Sequence, residues 1–372
     1  MSRKNVLTCV LIFISKIKNL TIAQYLFPHI SSDNGSVLIW LFMNVLNDSI
    51  GRKVSYLRIS VTDRCNLRCR YCTSEEQLPF LNHPDVLRYE EILTVIKALV
   101  PIGIDKVRLT GGEPLVRKNL DQLIGWINEI DGIRDISLTT NGVLLPEKGR
   151  LLRDAGLSRI NISLDTLKPE KFSYITRRNY FPQVMSGIET ALSLGFSPVK
   201  INVVATRGFN DDEIIDFAAL AERLPVHVRF IEYMPIGSDS GWQTDQFMPI
   251  DEIRRQIEEV YGLLSPVPTD DFAGPAKVFF LPGGHGRIGF IGALSHHFCD
   301  RCNRVRITAD GRLRPCLLAD IEFDLKSCLR HGADEYAIRA LFFEALAKKP
   351  KSHGMTCNAM KKCARVMSSI GG

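Results

Sequence analysis

From Ser55 onward the chain alternates short apolar runs with helix-like stretches, and this rhythm restricts its fold more than any other feature. Candidate strands are Tyr56–Val61, Lys106–Thr110, Asp135–Thr140, Arg159–Leu164, Val199–Ala205 and His227–Tyr233. Each is rich in Val, Ile or Leu, as expected for parallel strands covered on both faces. Helical patterns fall between them, near Tyr89–Val100, Leu120–Glu129, Glu147–Ala155, Gln183–Leu194 and Asp212–Arg223. Asn119 opens one of these, and Gly103, Gly156 and Gly195 follow others, as start and stop signals should. The repeated β–α units predict a parallel barrel or an open α/β sheet, short of an eight-fold barrel. Barrel sites lie at the C-terminal ends of the strands. Polar motifs fall there: a cysteine loop after the first strand, Gly111–Pro114 after the second, Thr139–Gly142 after the third, and Ser163–Asp165 ending the fourth. One Gly-rich turn says little, but turn chemistry does not explain four polar motifs on one rim.

Cys65, Cys69 and Cys72 form C-x3-C-x2-C in the stretch VTDRCNLRCRYC. Three thiolates so placed can hold three irons of a 4Fe–4S cluster and leave the fourth without a protein ligand. Iron–sulfur clusters ordinarily take four cysteines, so the set reads as a site kept open for chemistry. Structural zinc also wants four ligands, and the nearest candidate, His83, lies beyond a Pro-containing loop. A second set, Cys299, Cys302 and Cys316, has spacing that suits zinc as well as iron–sulfur, and His296 and His297 just upstream could complete a zinc site. A first cluster in the same chain turns the reading towards a second 4Fe–4S cluster with an open iron. Arg304 and Arg306 lie on one side of an extended strand between these ligands. They make a credible anion site, because a guanidinium offers paired donors to phosphate oxygens.

The chain's 372 residues have room for one large α/β barrel or two domains. With 45% hydrophobic and 24% charged residues, the composition excludes a disordered or collagen-like chain. A net charge of +6 does not indicate nucleic acid and suits a small anionic substrate. Ten cysteines are too dilute for a disulfide scaffold, and the two compact triads read as metal ligation in a reducing, cytoplasmic compartment. Cys9, Cys328, Cys357 and Cys363 read as free thiols.

Residues 1–42 differ from the rest, with Arg3, Lys4, Lys16 and Lys18 against the single acid Asp33. Val6–Ile14 is apolar but too short to span a bilayer, and no A-x-A-like cleavage site follows it. The segment is read as an upstream extension outside the fold, with Met43 as the natural start. A membrane-associating segment is the other reading. After about Gly237 the β–α rhythm ends and short strands follow, Lys277–Leu281 and Arg287–Ile291. The expected division is therefore 1–42, a barrel over 43–236 and a C-terminal module over 237–372.

The first triad, with the aromatic Tyr71 before its last cysteine, resembles the radical S-adenosylmethionine family. That resemblance selects a partial (β/α)6 TIM-like barrel, with a C-terminal α+β module carrying the second iron–sulfur cluster. It implies cofactor contacts by Tyr71, Gly111, Gly112, Glu113, Ser163 and Met234. LRISVTDRCNLRCRYC, RLTGGEPL, LTTNG, NISLD, RFIEYMPIG, FCDRCNRVRITADGRLRPC and a terminal IGG together resemble the GTP 3′,8-cyclases of molybdenum cofactor biosynthesis, from about Met43 to Gly372. That family joins the ribose C3′ of GTP to guanine C8. Its implied cofactors are two 4Fe–4S clusters and S-adenosylmethionine. Implied GTP contacts are Arg58, Arg108, Thr139, Lys200, Arg304 and Arg306, and Gly371 and Gly372 match a tail that assists radical initiation. Implied partners are GTP, a reductant protein such as flavodoxin or ferredoxin, a downstream cyclic pyranopterin monophosphate synthase, and a second copy in a homodimer. Two other functions remain open on residues alone. One is a radical S-adenosylmethionine enzyme acting on a peptide or another substrate. The other is a non-catalytic iron–sulfur or zinc-binding regulator.

Overall fold

The strand–helix rhythm is realised as β1 (Tyr56–Ser60), β2 (Lys106–Thr110), β3 (Asp135–Thr140), β4 (Arg159–Ser163), β5 (Val199–Ala205) and β6 (Val226–Glu232). The helices among them are α1 (Tyr89–Leu99), α2 (Leu120–Asn128), α3 (Leu145–Asp154), α4 (Pro169–Thr176), α5 (Phe181–Ser193) and α6 (Ile214–Arg223). The computed structural model describes residues 45–72, 80–234, 236, 244–268, 274–355, 363 and 365–371. The upstream extension expected over residues 1–42 lies outside the described residues, as does Gly372. Helix α4 escaped the sequence reading because its buried face amounts to Phe172 and Thr176, too few to make a period.

The strands differ from the expected uniformly apolar runs. They alternate, and the two faces have opposite chemistry. Leu57 and Ile59, Val107 and Leu109, Ile136 and Leu138, and Ile160 and Ile162 are buried beneath the helices. The intervening residues, among them Tyr56, Arg58, Lys106, Arg108, Asp135, Arg159, Lys200, Asn202 and Arg229, line a cavity on the concave side. Barrel interiors are ordinarily filled by branched apolar side chains. This interior is polar, and so it stays open. The outer layer supplies the stability: each fully buried Leu or Ile contributes roughly 1.5–3 kcal/mol, and α1 alone buries Ile92, Val95, Ile96 and Leu99.

The remaining elements are α7 (Ile250–Tyr261), β7 (Ser265–Pro266), β8 (Lys277–Phe280), β9 (Arg287–Ile291), β10 (Arg304–Ile307), β11 (Arg312–Arg314), β12 (Phe323–Asp324), α8 (Leu325–Arg330), α9 (Glu335–Ala347) and α10 (Met367–Ile370). One twelve-stranded sheet runs β12-β11-β10-β1-β2-β3-β4-β5-β6-β9-β8-β7. The C-terminal segment thus extends the barrel sheet at both edges. β9 pairs parallel with β6, and β10 pairs parallel with β1, setting Tyr56 against Arg304 and Arg58 against Arg306. No pairing among the described residues joins β7 to β12, so the sheet does not close. No helix among the described residues is long and apolar enough to cross a membrane.

Candidate active site

The first cysteine loop leaves the C-terminal end of β1 and is fastened by backbone contacts. Gly112 N donates to the Thr62 carbonyl (2.7 Å) and Glu113 N to that of Arg64 (2.7 Å). A Cβ at Gly111 would lie 2.7 Å from the Thr62 carbonyl oxygen, and one at Gly112 would lie 2.5 Å from that of Arg64. The two glycines are therefore required by close approach to the cysteine loop itself. Glu113 is buried behind them. Its carboxylate accepts from Thr140 Oγ1 (2.7 Å), Leu115 N (2.9 Å) and Asn141 N (2.7 Å). Burial outweighs these bonds and raises its pKa to about 7. Asn141 Nδ2 donates to Asn66 Oδ1 (2.7 Å), which ties the third-strand motif to the same loop. Tyr71 Oη donates to Asp165 Oδ2 (2.5 Å), while Asp165 Oδ1 accepts from Val204 N (2.9 Å). Burial pushes the Cys65 thiol up to about 11 and those of Cys69 and Cys72 up as well, with Glu113 adding to the effect at Cys65 and neighbouring thiols adding to it at Cys69 and Cys72. Buried thiols of this kind become thiolates by taking a metal, and three of them facing one cavity fit an iron–sulfur cluster.

The second triad lies at the opposite end of the barrel, which the sequence did not reveal. Cys302 precedes β10, whose first residue, Arg304, is level with Tyr56 at the start of β1. β11 runs back against β10 with Arg306 opposite Arg314, so Cys316 returns to that same end. The four steps from Tyr56 to Ser60 span about 13 Å of strand, and the first loop begins only after them. A polar well thus runs between the two triads.

One cavity of about 340 Å³ fills this well. It is lined by Arg58, Cys65, Cys69, Tyr71, Cys72, Arg108, Gly111, Gly112, Thr139, Ser163, Lys200, Met234, Cys299, Cys302, Arg304, Arg306 and Cys316, all expected from the sequence. Glu113 stands behind the wall. Gly371 reaches it through its carbonyl, which accepts from Arg306 Nη1 (3.0 Å). Gly371 has φ +83°, and a Cβ there would lie 2.6 Å from Thr110 Oγ1 and 2.7 Å from Ser60 Cβ. Sequence reasoning missed Lys106, Arg159, Arg229 and Lys349, which also line the cavity. Their signal was the polar–apolar alternation in KVRLT, RINIS and VHVRFIE, which points every second residue inward. Arg58 and Arg108 sit mid-strand inside the well, below its rim.

The well is strongly cationic. Nine lysines and arginines line it against two aspartates, Asp135 and Asp165, and Asp135 is paired with Arg159. Burial, then the charge of Arg229, brings Lys200 down to about 6. Burial and Arg108 bring Arg229 to about 9, and burial and Arg304 bring Arg306 to about 10. Thr139 Oγ1, Asn202 Oδ1 and Arg229 Nε have no hydrogen-bond partner among the described residues. Buried cations and unpartnered polar atoms are costly without a ligand, and a polyanion with several acceptors fits this lining.

The histidine alternative at the second triad fares less well. His296 Nε2 meets Asp251 Oδ2 (2.7 Å), on α7. His297, Cys299 and His353 have their ligand atoms within 4.8 Å of one another. His353 Nδ1, however, accepts from Met355 N (3.1 Å), so Nε2 carries the proton and donates to the Ala293 carbonyl (3.0 Å). A protonated ring nitrogen does not ligate zinc. Cys299, Cys302 and Cys316 are all free thiols on the cavity wall and fit a cluster held by three cysteines.

An open parallel barrel with a three-cysteine loop after its first strand is the architecture of the radical S-adenosylmethionine superfamily, whose family model matches residues 59–221. That superfamily works with S-adenosylmethionine and a 4Fe–4S cluster. A second family model, Molybdenum Cofactor Synthesis C, matches residues 226–355. The GTP 3′,8-cyclase of Moorella thermoacetica is 51% identical over 327 residues, covering 88% of this chain and all of that protein. The GTP 3′,8-cyclase of Pelotomaculum thermopropionicum is 49% identical over the same shares. The chain belongs to the GTP 3′,8-cyclase family. Among solved structures, Streptococcus suis SuiB matches with a TM-score of 0.56 at 17% identity, over 95% of this chain and 85% of that one. The enzyme anSMEcpe with bound AdoMet matches with a TM-score of 0.53 at 14% identity, over 82% and 80%. At these identities the likeness is one of fold.

Proposed function

We propose that this protein is a radical S-adenosylmethionine lyase that converts GTP to (8S)-3′,8-cyclo-7,8-dihydroguanosine 5′-triphosphate, the first step of molybdenum cofactor biosynthesis. The observation that carries this reading is the cation-lined well between two cysteine triads, a shape that suits a nucleoside triphosphate held at both ends. Cys65, Cys69 and Cys72 would hold a 4Fe–4S cluster, which when bound supplies the electron for cleavage of S-adenosylmethionine. Tyr71, Gly111, Gly112, Glu113, Ser163 and Met234 would form the cofactor's pocket. Asp165 fixes the Tyr71 hydroxyl, and Glu113 fixes the turn beside the cysteine loop. Arg58, Arg108, Lys200 and Arg229 would take the triphosphate, and Thr139 would add a hydroxyl. Arg304 and Arg306 lie beside the second triad, where Cys299, Cys302 and Cys316 would carry a second cluster facing the guanine.

In the overall reaction one hydrogen atom leaves ribose C3′ for the adenosyl fragment. C3′ then bonds to C8, and an electron and a proton return to the guanine ring. The chain's task is to hold C3′ and C8 in reach and keep water out. The polar lining does the first by fixing both ends of the nucleotide. The tail does the second, since Gly371 packs against Ser60 and Thr110 at the mouth of β1 and β2. A one-electron carrier protein such as flavodoxin or ferredoxin, a downstream cyclic pyranopterin monophosphate synthase and a cytoplasmic setting complete the reading. A barrel over 43–236 and a substrate-binding module over 237–372 are its functional halves, and a homodimer is its expected assembly.

Anaerobic reconstitution with iron and sulfide, followed by S-adenosylmethionine, dithionite and GTP, tests this. GTP-dependent 5′-deoxyadenosine and a cyclised nucleotide are expected. Cofactor cleavage indifferent to GTP but stimulated by another substrate would overturn it.

A further inference from the structure

Lys349 follows α9 and is only 4% exposed. Its ammonium donates to the Arg304 carbonyl at the start of β10 (2.7 Å) and to the Pro315 carbonyl immediately before Cys316 (2.5 Å). It also lines the well between the triads. The next two residues are held from outside. Arg52, paired with Asp48, donates to the Pro350 carbonyl (2.8 Å), the Lys351 carbonyl (3.1 Å) and the carbonyl of Cys299. The turn Lys349–Lys351 is therefore a strap. It joins the strand that follows Cys302, the residue before Cys316 and, through Arg52, the backbone of Cys299. These three cysteines come from two chain segments, which the short β10–β11 pairing also joins.

The geometry points to Lys349 as the positioning residue of the second cysteine triad: it closes the Cys316 segment onto the Cys299–Cys302 segment and sets a positive charge beside whatever the three thiolates bind. This rests on the proposed second cluster. A lysine buried to this degree is expensive unless its charge is used. Two carbonyls satisfy its donors only partly, because an ammonium has three. Three thiolates and a cluster form a net anion, and a fixed ammonium beside them offsets that charge. Near the first triad, Arg68 and Arg177 donate to backbone carbonyls from half-exposed positions.

The test uses the full chain, reconstituted anaerobically, comparing wild type with Lys349→Met and Lys349→Arg. Iron and sulfide per chain are measured, together with the midpoint potentials of the clusters by EPR-monitored titration. Wild type should hold about eight irons, two clusters' worth. Lys349→Met should lose about half the iron, or keep it with the second cluster's potential moved to more negative values, since removing a positive charge disfavours the reduced state. The first cluster's signal and uncoupled S-adenosylmethionine cleavage should be unchanged. Lys349→Arg, which keeps the charge and the donors, should restore most of the second cluster. Lys349→Met with wild-type iron and wild-type potentials overturns the inference, and so does loss of both clusters together. Wild type holding only about four irons would instead remove the second-cluster reading on which the inference stands.

Discussion

Replacing Lys200 by methionine probes the charge balance of the well. Lys200 is 7% exposed, and burial followed by Arg229, Arg159 and Arg108 brings its ammonium down to about 6, with Asp135 acting weakly the other way. His227 on the neighbouring strand is brought to about 4, so it is neutral throughout the useful range. At a pH of about 8 the empty well therefore holds Lys200 uncharged. A bound triphosphate supplies opposite charge and returns it towards an ordinary lysine value of about 10.4. Binding then draws in one proton at any pH between those two values. Within that window each unit of pH lowers GTP affinity by about tenfold, because one unit corresponds to about 1.36 kcal/mol. The terminal phosphate titrates nearer 6, as phosphate monoesters do, and Arg229 is brought to about 9, so between about pH 7.5 and about pH 8.5 the lysine dominates. Isothermal calorimetry of GTP binding in two buffers of different ionisation heat counts the protons. Wild type should take up about one per GTP and weaken about tenfold across that range. Lys200→Met should take up only a small fraction, from Arg229, and show at most a shallow slope. A flat profile in wild type, or the same slope in Lys200→Met, would refute the reasoning.

Three further outcomes follow from the same geometry. Arg229→Ala should weaken GTP binding about ten- to a hundredfold, the worth of a hydrogen bond to a charged group at roughly 1.5–3 kcal/mol, with S-adenosylmethionine affinity unchanged by equilibrium binding. Gly371→Ala should cut GTP-dependent 5′-deoxyadenosine at least tenfold with iron content intact: its φ of +83° and a Cβ 2.6 Å from Thr110 Oγ1 leave no room for alanine, and the backbone alone costs about 1–2 kcal/mol. Cys65→Ala should abolish cofactor cleavage and leave about half the iron, because the two triads stand at opposite ends of the barrel; normal cleavage in that variant would remove the first triad from the chemistry.

Much of this molecule is legible in its residues, for identifiable reasons. The strands were found to within a residue or two at each end because parallel strands carry dense Val, Ile and Leu between turn signals. The cysteine sets, Gly111–Pro114 and the arginines of β10 are local patterns whose chemistry depends on spacing a few residues long. The reading failed where the signal was a face rather than a run. Arg159 and Arg229 were passed over in strands taken as apolar throughout, although their position in alternation with buried neighbours marks them as inward-facing. Helix α4 was missed because two buried residues set no period.

The chain's order of strands and helices, its two cysteine triads and its membership of a family are properties of local sequence, set by periodicity and by short spacings. Only the tertiary structure decided that the triads stand at opposite ends of one well. That follows from β10 pairing parallel with β1 across 248 positions of chain, Tyr56 to Arg304, a register no local pattern encodes. The same pairing made a cation-lined cavity from side chains on many strands and brought Lys349 to the second triad. Register and packing are choices among distant partners, and their energies are shared across the whole core rather than written at any one residue.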